Sequence, residues 1–284
     1  MPANEALMNT IVAGVREAGA ATLKYFQPGE MVSEAAGVRH KSPDNPLTEA
    51  DLECDRILHQ HLMGAYPDYG WLSEETTDDR SRMSRSRVWV VDPIDGTKDF
   101  IQGRKEYAIS VGLVEDGLPV AACTLNPATG ELFTALKGGG AFLNGKAIKT
   151  SDRTQFDGAT CLASRSELGR GEWEQFHGLL KPSPMGSVAY KLALVAAGRY
   201  DMTFTLTPKS EWDICSGVLL VQEAGGRITN KEGEPFRFNK DLEYPKTRSV
   251  LTSNGPLHDE LLARLKDIPL SPDRYMPKGS IHNP

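Results

Sequence analysis

Three strand-length runs, residues 108–115, 119–125 and 131–135, follow one another with only tight turns between them. Asp116-Gly117 joins the first two, and Asn126-Pro127-Ala128-Thr129-Gly130 joins the second pair. Connections this short form hairpins, because a parallel pair needs a crossover of about a dozen residues. The first half of the chain is therefore committed to an antiparallel sheet, and it reads as α+β and not as half of a doubly wound dinucleotide fold. Ahead of the hairpins, residues 88–91 make a short apolar strand that runs straight into Asp92.

Helical spacing frames this sheet. Met8, Ile11, Val12, Val15, Ala18 and Phe26 predict an amphipathic helix over 5–26. Residues 27–47, rich in Gly, Pro and Ser, read as loop or irregular strand. Thr48 and Asp51 form a capping-box-like pair that starts a second helix. Ala50, Cys54, Ile57, Leu58, His61 and Ala65 mark its buried face, and Pro67 ends it. Gly138-Gly139-Gly140 matches no phosphate-loop pattern and reads as a turn. Beyond it the chain alternates: a strand near 160–163, a helix over 187–197, a strand over 202–206, a helix over 212–224 stopped by Gly225-Gly226, and a short helix over 258–266. We expect an α/β class overall, with an α+β subdomain over 1–150, an α/β subdomain over 151–268, and a Pro-rich tail over 269–284 as an extended or disordered arm.

Composition narrows the partners. The 284 residues suffice for a proper core, and the net charge is −6 with no long basic run. A polyanionic nucleic acid is not expected, because phosphate-backbone binding needs a basic face. A small anionic substrate stays open, since a bound cation can reverse the local sign. Cys54, Cys123, Cys161 and Cys215 contain no C-x-x-C pair, and read as buried thiols of a reducing compartment. Residues 1–8 show no signal-peptide pattern, and no stretch approaches the ~18 apolar residues of a membrane span. The expectation is a cytoplasmic protein without a membrane partner.

The chemistry is carried by acids. Asp92-Pro93-Ile94-Asp95-Gly96-Thr97 offers two carboxylates and a carbonyl in four residues, a hard-oxygen set suited to Mg²⁺ or Mn²⁺. The same Asp residues could simply cap turns. Asp213, three residues after Ser210, could be a ligand or half of a capping box. Glu74-Glu75 could be a solvated acidic pair, and Asp51 could serve only the helix dipole. If these acids meet, like charges repel by about 1 kcal/mol per pair in water and more when buried, so the cluster would need cations. An EF-hand is excluded, because the twelfth position counted from Asp92 is Gly103. Haloacid-dehalogenase phosphatases space their aspartates two apart, not three. There is no G-x-S-x-G elbow to supply a covalent nucleophile.

In order and spacing, T-E-A-D (48–51), E-E (74–75), D-P-I-D-G-T (92–97), G-S (186–187) and W-D (212–213) resemble the inositol monophosphatase-like superfamily of Mg²⁺-dependent, lithium-sensitive phosphatases. The resemblance covers residues 8–267 and implies a layered αβαβα sandwich with the site between two subdomains. It implies two or three Mg²⁺ ions, with Mn²⁺ as a substitute. Glu74, Asp92 and the Ile94 carbonyl would hold the first, Asp92, Asp95 and Asp213 the second, and Glu74 a weaker third. Thr97, oriented by Asp51, would help deprotonate the attacking water. The Gly96 and Thr97 amides, with Ser187, would bind phosphate. Ser73 stands where many members have Gly. The resemblance also allows a homodimer.

For substrate, Lys98-Asp99-Phe100 and Ser210-Glu211-Trp212-Asp213 are similar to bacterial 3′(2′),5′-bisphosphate nucleotidases, and Lys191 is a candidate for a second phosphate. Inositol-cleaving members typically carry Glu seven residues before the W-D aspartate; here it is Leu206. The expectation is hydrolysis of adenosine 3′(2′),5′-bisphosphate to AMP and phosphate. An inositol-1-phosphatase is the alternative, with fructose 1,6-bisphosphate and histidinol phosphate behind it. A non-catalytic phospho-ligand binding module is the alternative of a different class.

Overall fold

A computed structural model describes residues 2–32, 37–42, 45–176, 178–241 and 246–271. Most of the Pro-rich tail, 272–284, lies outside them, as do Pro43 and Asp44.

Helix α1 (Pro2–Thr22) is followed by a small antiparallel pair, β1 (Arg39–Ser42) and β2 (Asn45–Leu47), and then by α2 (Glu49–Ala65). Next come β3 (Gly70–Ser73) and β4 (Arg87–Asp95), a parallel pair, with the single-turn helix α3 (Thr97–Ile101) after β4. Strands β5 (Ala108–Glu115), β6 (Leu118–Asn126), β7 (Glu131–Leu136), β8 (Ala141–Leu143) and β9 (Lys146–Ile148) extend the sheet antiparallel, in chain order. The expected hairpins are all present. The turn at residues 138–140 is present too, with the Gly139 amide donating to the Leu136 carbonyl at 2.8 Å.

Residue 88 onward shows why the central strands read as unbroken apolar runs: both faces are covered. Trp89, Val91, Ile109, Val111 and Leu113 pack with α1 and α2, among Ile11, Val15, Cys54 and Leu58. Val88, Val90 and Val114 face the other way, into a cluster with Leu192, Val218 and Leu219.

The second half builds a five-stranded sheet from β10 (Ala159–Ser164), β11 (Leu180–Met185), β12 (Met202–Thr205), β14 (Arg227–Thr229) and β16 (Val250–Ser253), in the order β11-β10-β12-β16-β14. A two-residue pair, β13 (Lys209–Ser210) with β15 (Lys246–Thr247), sits apart. Its helices are α4 (Arg165–Gly169), α5 (Val188–Ala196), α6 (Glu211–Glu223) and α7 (His258–Leu265). Helices α5 and α6 lie between the two sheets. The outer face of the second sheet carries Leu261 and Leu265 of α7 against Phe204 and Leu251. The order helices, sheet, helices, sheet, helices is the αβαβα layering expected. Contact between the middle helices and the first sheet is intimate: a Cβ on Gly112 of β5 would come within 2.5 Å of the Cys215 sulfur in α6.

Several details differ from the sequence expectation. Helix α1 ends at Thr22, and Phe26 packs beyond it against Phe100 and Tyr107, with ring centroids 5.8 and 5.0 Å away. Ala65 is exposed, and Leu62 takes the buried position. Strand β4 continues through Pro93 to Asp95, but its register against β5 shifts between Asp92 and Asp95. Pro93 cannot donate to a ladder, so the strand bulges there instead of ending. All four cysteines are free and buried, as expected. No helix among the described residues is long and apolar enough to cross a membrane.

A candidate metal and phosphate site

The bulge in β4 brings Asp92, the Ile94 carbonyl and Asp95 together at the end of one strand. Asp92 and Asp95 are both buried, and Gly96 turns the chain into α3. That turn needs glycine twice over: its φ is +97°, and a Cβ there would meet the Glu106 carbonyl at 3.0 Å and Ser187 at 3.2 Å.

Other elements converge on it. The Glu74 amide, just past β3, donates to the Val91 carbonyl at 3.2 Å, which seats Glu74 beside Asp92. Asp213 arrives on the first turn of α6 and accepts from the Ser210 amide at 2.8 Å. Carboxylate oxygens of Glu74, Asp92 and Asp213 all lie within 4.8 Å of one another. Oδ1 of Asp92 is buried with no hydrogen-bond partner. A buried anionic oxygen without a donor costs free energy unless a cation meets it. Hard carboxylate oxygens around such an orphan fit Mg²⁺.

Asp95 is beside this trio but differently employed. Its Oδ2 accepts from the Ser187 hydroxyl at 2.7 Å and from the Ala189 amide at 2.5 Å. Ser187, expected at the phosphate, thus caps α5 and anchors Asp95. Ile94 presents its carbonyl to the Thr97 hydroxyl at 2.9 Å. Asp51, fully buried at the start of α2, accepts from the Thr48 hydroxyl at 2.5 Å and the Thr48 amide at 2.7 Å. Its other oxygen faces the Thr97 hydroxyl.

The electrostatics follow from this crowding. Burial, then Glu74, Asp95 and Asp213, holds the Asp92 carboxyl well above the usual range. Burial raises Asp95 to about 6, against the opposing pull of its Ser187 and Ala189 bonds. Burial, then Asp95 and Glu74, raises Asp213 to about 7. Burial also raises Asp51 to about 6. Lys41, from β1, is the cation nearest at hand: its Nζ lies 2.9 Å from Glu74 and 2.7 Å from Glu75. Burial opposes its charge, yet the two glutamates hold its pKa above the ordinary value.

Sequence reasoning missed two features here. Lys41 carries no motif of its own in the sequence. Asp55 was not singled out, yet it accepts from the Ser73 and Thr76 hydroxyls on either side of the Glu pair. Neither leaves a signal in spacing, because each contact depends on the tertiary fold. Lys191, expected as a point charge near the pocket, is 4 % exposed in α5, and burial lowers its pKa. Leu206 packs with Phe204, Trp173 and Leu257.

The family model for the inositol monophosphatase family matches residues 3–270. The chain belongs to that family. As a member it is a metal-dependent phosphoric monoester hydrolase of a family that generally depends on Mg²⁺, and the acid trio is suited to that dependence. It is 38% identical over 239 residues to an inositol-1-monophosphatase of Rhizobium meliloti (strain 1021), covering 81% of this chain and 88% of that one. It is 34% identical over 238 residues to a Nus factor SuhB of Xylella fastidiosa, covering 80% and 82%. Among solved structures it is similar to an IMPase of Thermotoga maritima, with a TM-score of 0.79 at 26% identity over 92% of this chain and 96% of that one.

Proposed function

We propose that this family member hydrolyses adenosine 3′(2′),5′-bisphosphate to AMP and phosphate. One observation carries the substrate reading. At the position where a polyol-binding carboxylate is expected stands Leu206, packed into an aromatic cluster of Phe204 and Trp173. A leucine accepts no hydrogen bond, so ring hydroxyls of an inositol would go unpaired there, and discrimination for a polyol is lost. Lys191 supplies a cation for a second phosphate.

Glu74, Asp92 and Asp213, with Asp95 and the Ile94 carbonyl, would hold the Mg²⁺ ions. When bound, such ions neutralise phosphate oxygens and make a water molecule more acidic. The chain's own groups do the rest. Thr97 holds its hydroxyl proton toward Oδ1 of Asp51, 3.2 Å away. Asp51, raised to about 6, is mostly ionised at neutral pH yet basic enough to take a proton. The Gly96 and Thr97 amides, at the start of α3, have no intrahelical acceptor and can donate to a phosphate oxygen. Ser187 and the Ala189 amide keep Asp95 from swinging away.

A second reading, inositol 1-phosphate, is favoured by the names of relatives such as the Rhizobium meliloti protein. Phosphate release under Mg²⁺ from adenosine 3′,5′-bisphosphate and inositol 1-phosphate separates the two. The expected result is a higher kcat/KM for the bisphosphate. A clear preference for inositol 1-phosphate overturns the nucleotidase reading and leaves the metal chemistry standing.

A further inference from the structure

Beside the acid cluster the two halves of the chain are tied by ion pairs. Asp99, two residues past Thr97 on α3, is buried. Its Oδ1 accepts from Nε of Arg165 at 3.2 Å and from Nη1 of Arg104 at 2.9 Å. Arg165 opens α4, in the second half, and is half-buried. Its Nη2 also donates to Oε1 of Glu106 at 2.5 Å. One guanidinium from the second half thus bridges two acids of the first. Arg104 is exposed and, among the described residues, pairs with Asp99 alone. An uncharged residue at 99 could not balance two guanidiniums, which accounts for the acid in Lys98-Asp99-Phe100.

The bridge spans a place where backbone meets backbone. A Cβ on Gly96 would meet the Glu106 carbonyl and Ser187, and a Cβ on Gly186 would overlap Oδ2 of Asp99. The 95–99 turn of the first half is therefore built directly against Gly186-Ser187 of the second. Ser187 itself has φ +48°, in the left-handed region, which a serine keeps only where its surroundings hold it. Asp95 is shared across this seam. Its backbone belongs to β4, while its Oδ2 is held by the Ser187 hydroxyl and the Ala189 amide of the second half. Any slip of the turn along Gly186 would lengthen those two bonds and turn the carboxylate. Asp99 and Glu106 lie on either side of that contact, and Arg165 holds both.

We propose that Arg165 is a positioning residue for Asp95: by bridging Asp99 and Glu106 it holds the 95–99 turn on Gly186-Ser187, and so keeps the Asp95 carboxylate in the orientation that Mg²⁺ binding needs. The inference rests on Asp95 as a metal ligand and is independent of which ester is cleaved. Charge alone predicts the opposite response. Removing a cation beside a cluster of acids favours the arrival of another cation, so a loss of Arg165 that acted only through its charge would tighten Mg²⁺ binding. Loss of positioning weakens it.

The test is calorimetric titration of the full chain with Mg²⁺ alone, paired with the Mg²⁺ dependence of phosphate release from a simple aryl phosphate monoester. Arg165→Met keeps the stem and removes the guanidinium. It should weaken Mg²⁺ binding by about tenfold, the scale for groups that orient metal ligands, and most of kcat should return at saturating Mg²⁺. Arg165→Lys keeps the charge but lacks the fork that reaches two acids, so it should recover only part of the loss. Arg104→Met takes a charge from the same carboxylate without cutting the link between halves. It should shift Mg²⁺ affinity by less than about twofold, the scale of an exposed pair. Asp95→Asn keeps an acceptor for Ser187 and Ala189 and should weaken Mg²⁺ binding at least as much as Arg165→Met. Melting temperatures of all variants are read alongside. An Arg165→Met protein that melts lower yet titrates with Mg²⁺ like the wild type, while Asp95→Asn is weakened, overturns the positioning role alone. Equal weakening in Arg104→Met overturns it as well, since the link between halves would then not be the cause. An Asp95→Asn protein that titrates like the wild type overturns the ligand reading of Asp95, and the inference with it.

Discussion

The hydroxyl of Thr97 lies 3.2 Å from Oδ1 of Asp51, a carboxylate on a different helix. The same hydroxyl is 2.9 Å from the Ile94 carbonyl, so one proton is shared between two acceptors. A turn residue needs only the second contact. Thr97→Ala should lower kcat by about 100-fold or more, the usual scale of a lost proton-transfer group. Mg²⁺ binding should survive, because no proposed ligand is removed. Thr97→Ser should keep most of the rate. A Thr97→Ala enzyme with near-normal kcat would reduce Thr97 to a structural role.

Asp55 braces the loop that carries Glu74. Its Oδ1 accepts from Ser73 at 2.5 Å and its Oδ2 from Thr76 at 2.8 Å, while the Glu75 amide donates to the Ser73 hydroxyl at 3.3 Å. Groups that orient metal ligands commonly change affinity by about 10- to 100-fold when removed. Asp55→Ala should therefore shift the Mg²⁺ titration to higher concentration, measured both by calorimetry and by activity. At saturating Mg²⁺ most of kcat should return. Superimposable titrations would show that the brace serves stability only.

How far these features could be read in advance depends on their range along the chain. The capping pairs Thr48–Asp51 and Ser210–Asp213 are local, three residues apart, and both are formed. The hairpins after β5 were legible for the same reason. Strand β11 was not, because its run of Leu-Lys-Pro-Ser-Pro-Met carries two prolines. Among the described residues it pairs only with β10, and an edge strand tolerates prolines that a central one would not. The Ser73–Asp55 contact spans 18 residues and the Lys41–Glu74 contact 33, so neither appears in any local pattern. Lys191 did leave a trace: it interrupts a helix that is otherwise apolar all round, and such helices are buried.

The acid cluster makes a prediction about pH. Asp51 and Asp95 at about 6 and Asp213 at about 7 all lie above their values in an unfolded chain. The folded state then holds more protons than the unfolded one between about pH 4 and 7. Stability of the metal-free protein should therefore fall as pH rises through that window. Mg²⁺ needs the ionised carboxylates, so it should offset the loss. The rise in Tm on adding Mg²⁺ should be larger at pH 8 than at pH 5.5, as read by calorimetry. An equal or smaller rise at pH 8 would contradict the electrostatic account of the site.

Asp213 can be a helix cap or a metal ligand, and one substitution separates the roles. As a cap it accepts from the Ser210 amide at 2.8 Å, and Asn does that nearly as well. As a ligand it contributes a negative charge that Asn lacks. Asp213 also repels its neighbours: Asp95 and Glu74 both push its pKa upward. Removing its charge should thus leave the metal-free protein as stable as before, or more stable. The same Asp213→Asn change should raise the Mg²⁺ concentration for half-maximal activity by about tenfold or more, cut turnover, and shrink the Mg²⁺-induced rise in Tm. A capping role alone predicts unchanged Mg²⁺ titrations and a slightly lowered Tm. The two outcomes differ in the sign of the metal-free shift as well as in the metal response, so a general loss of folding could not imitate the expected result.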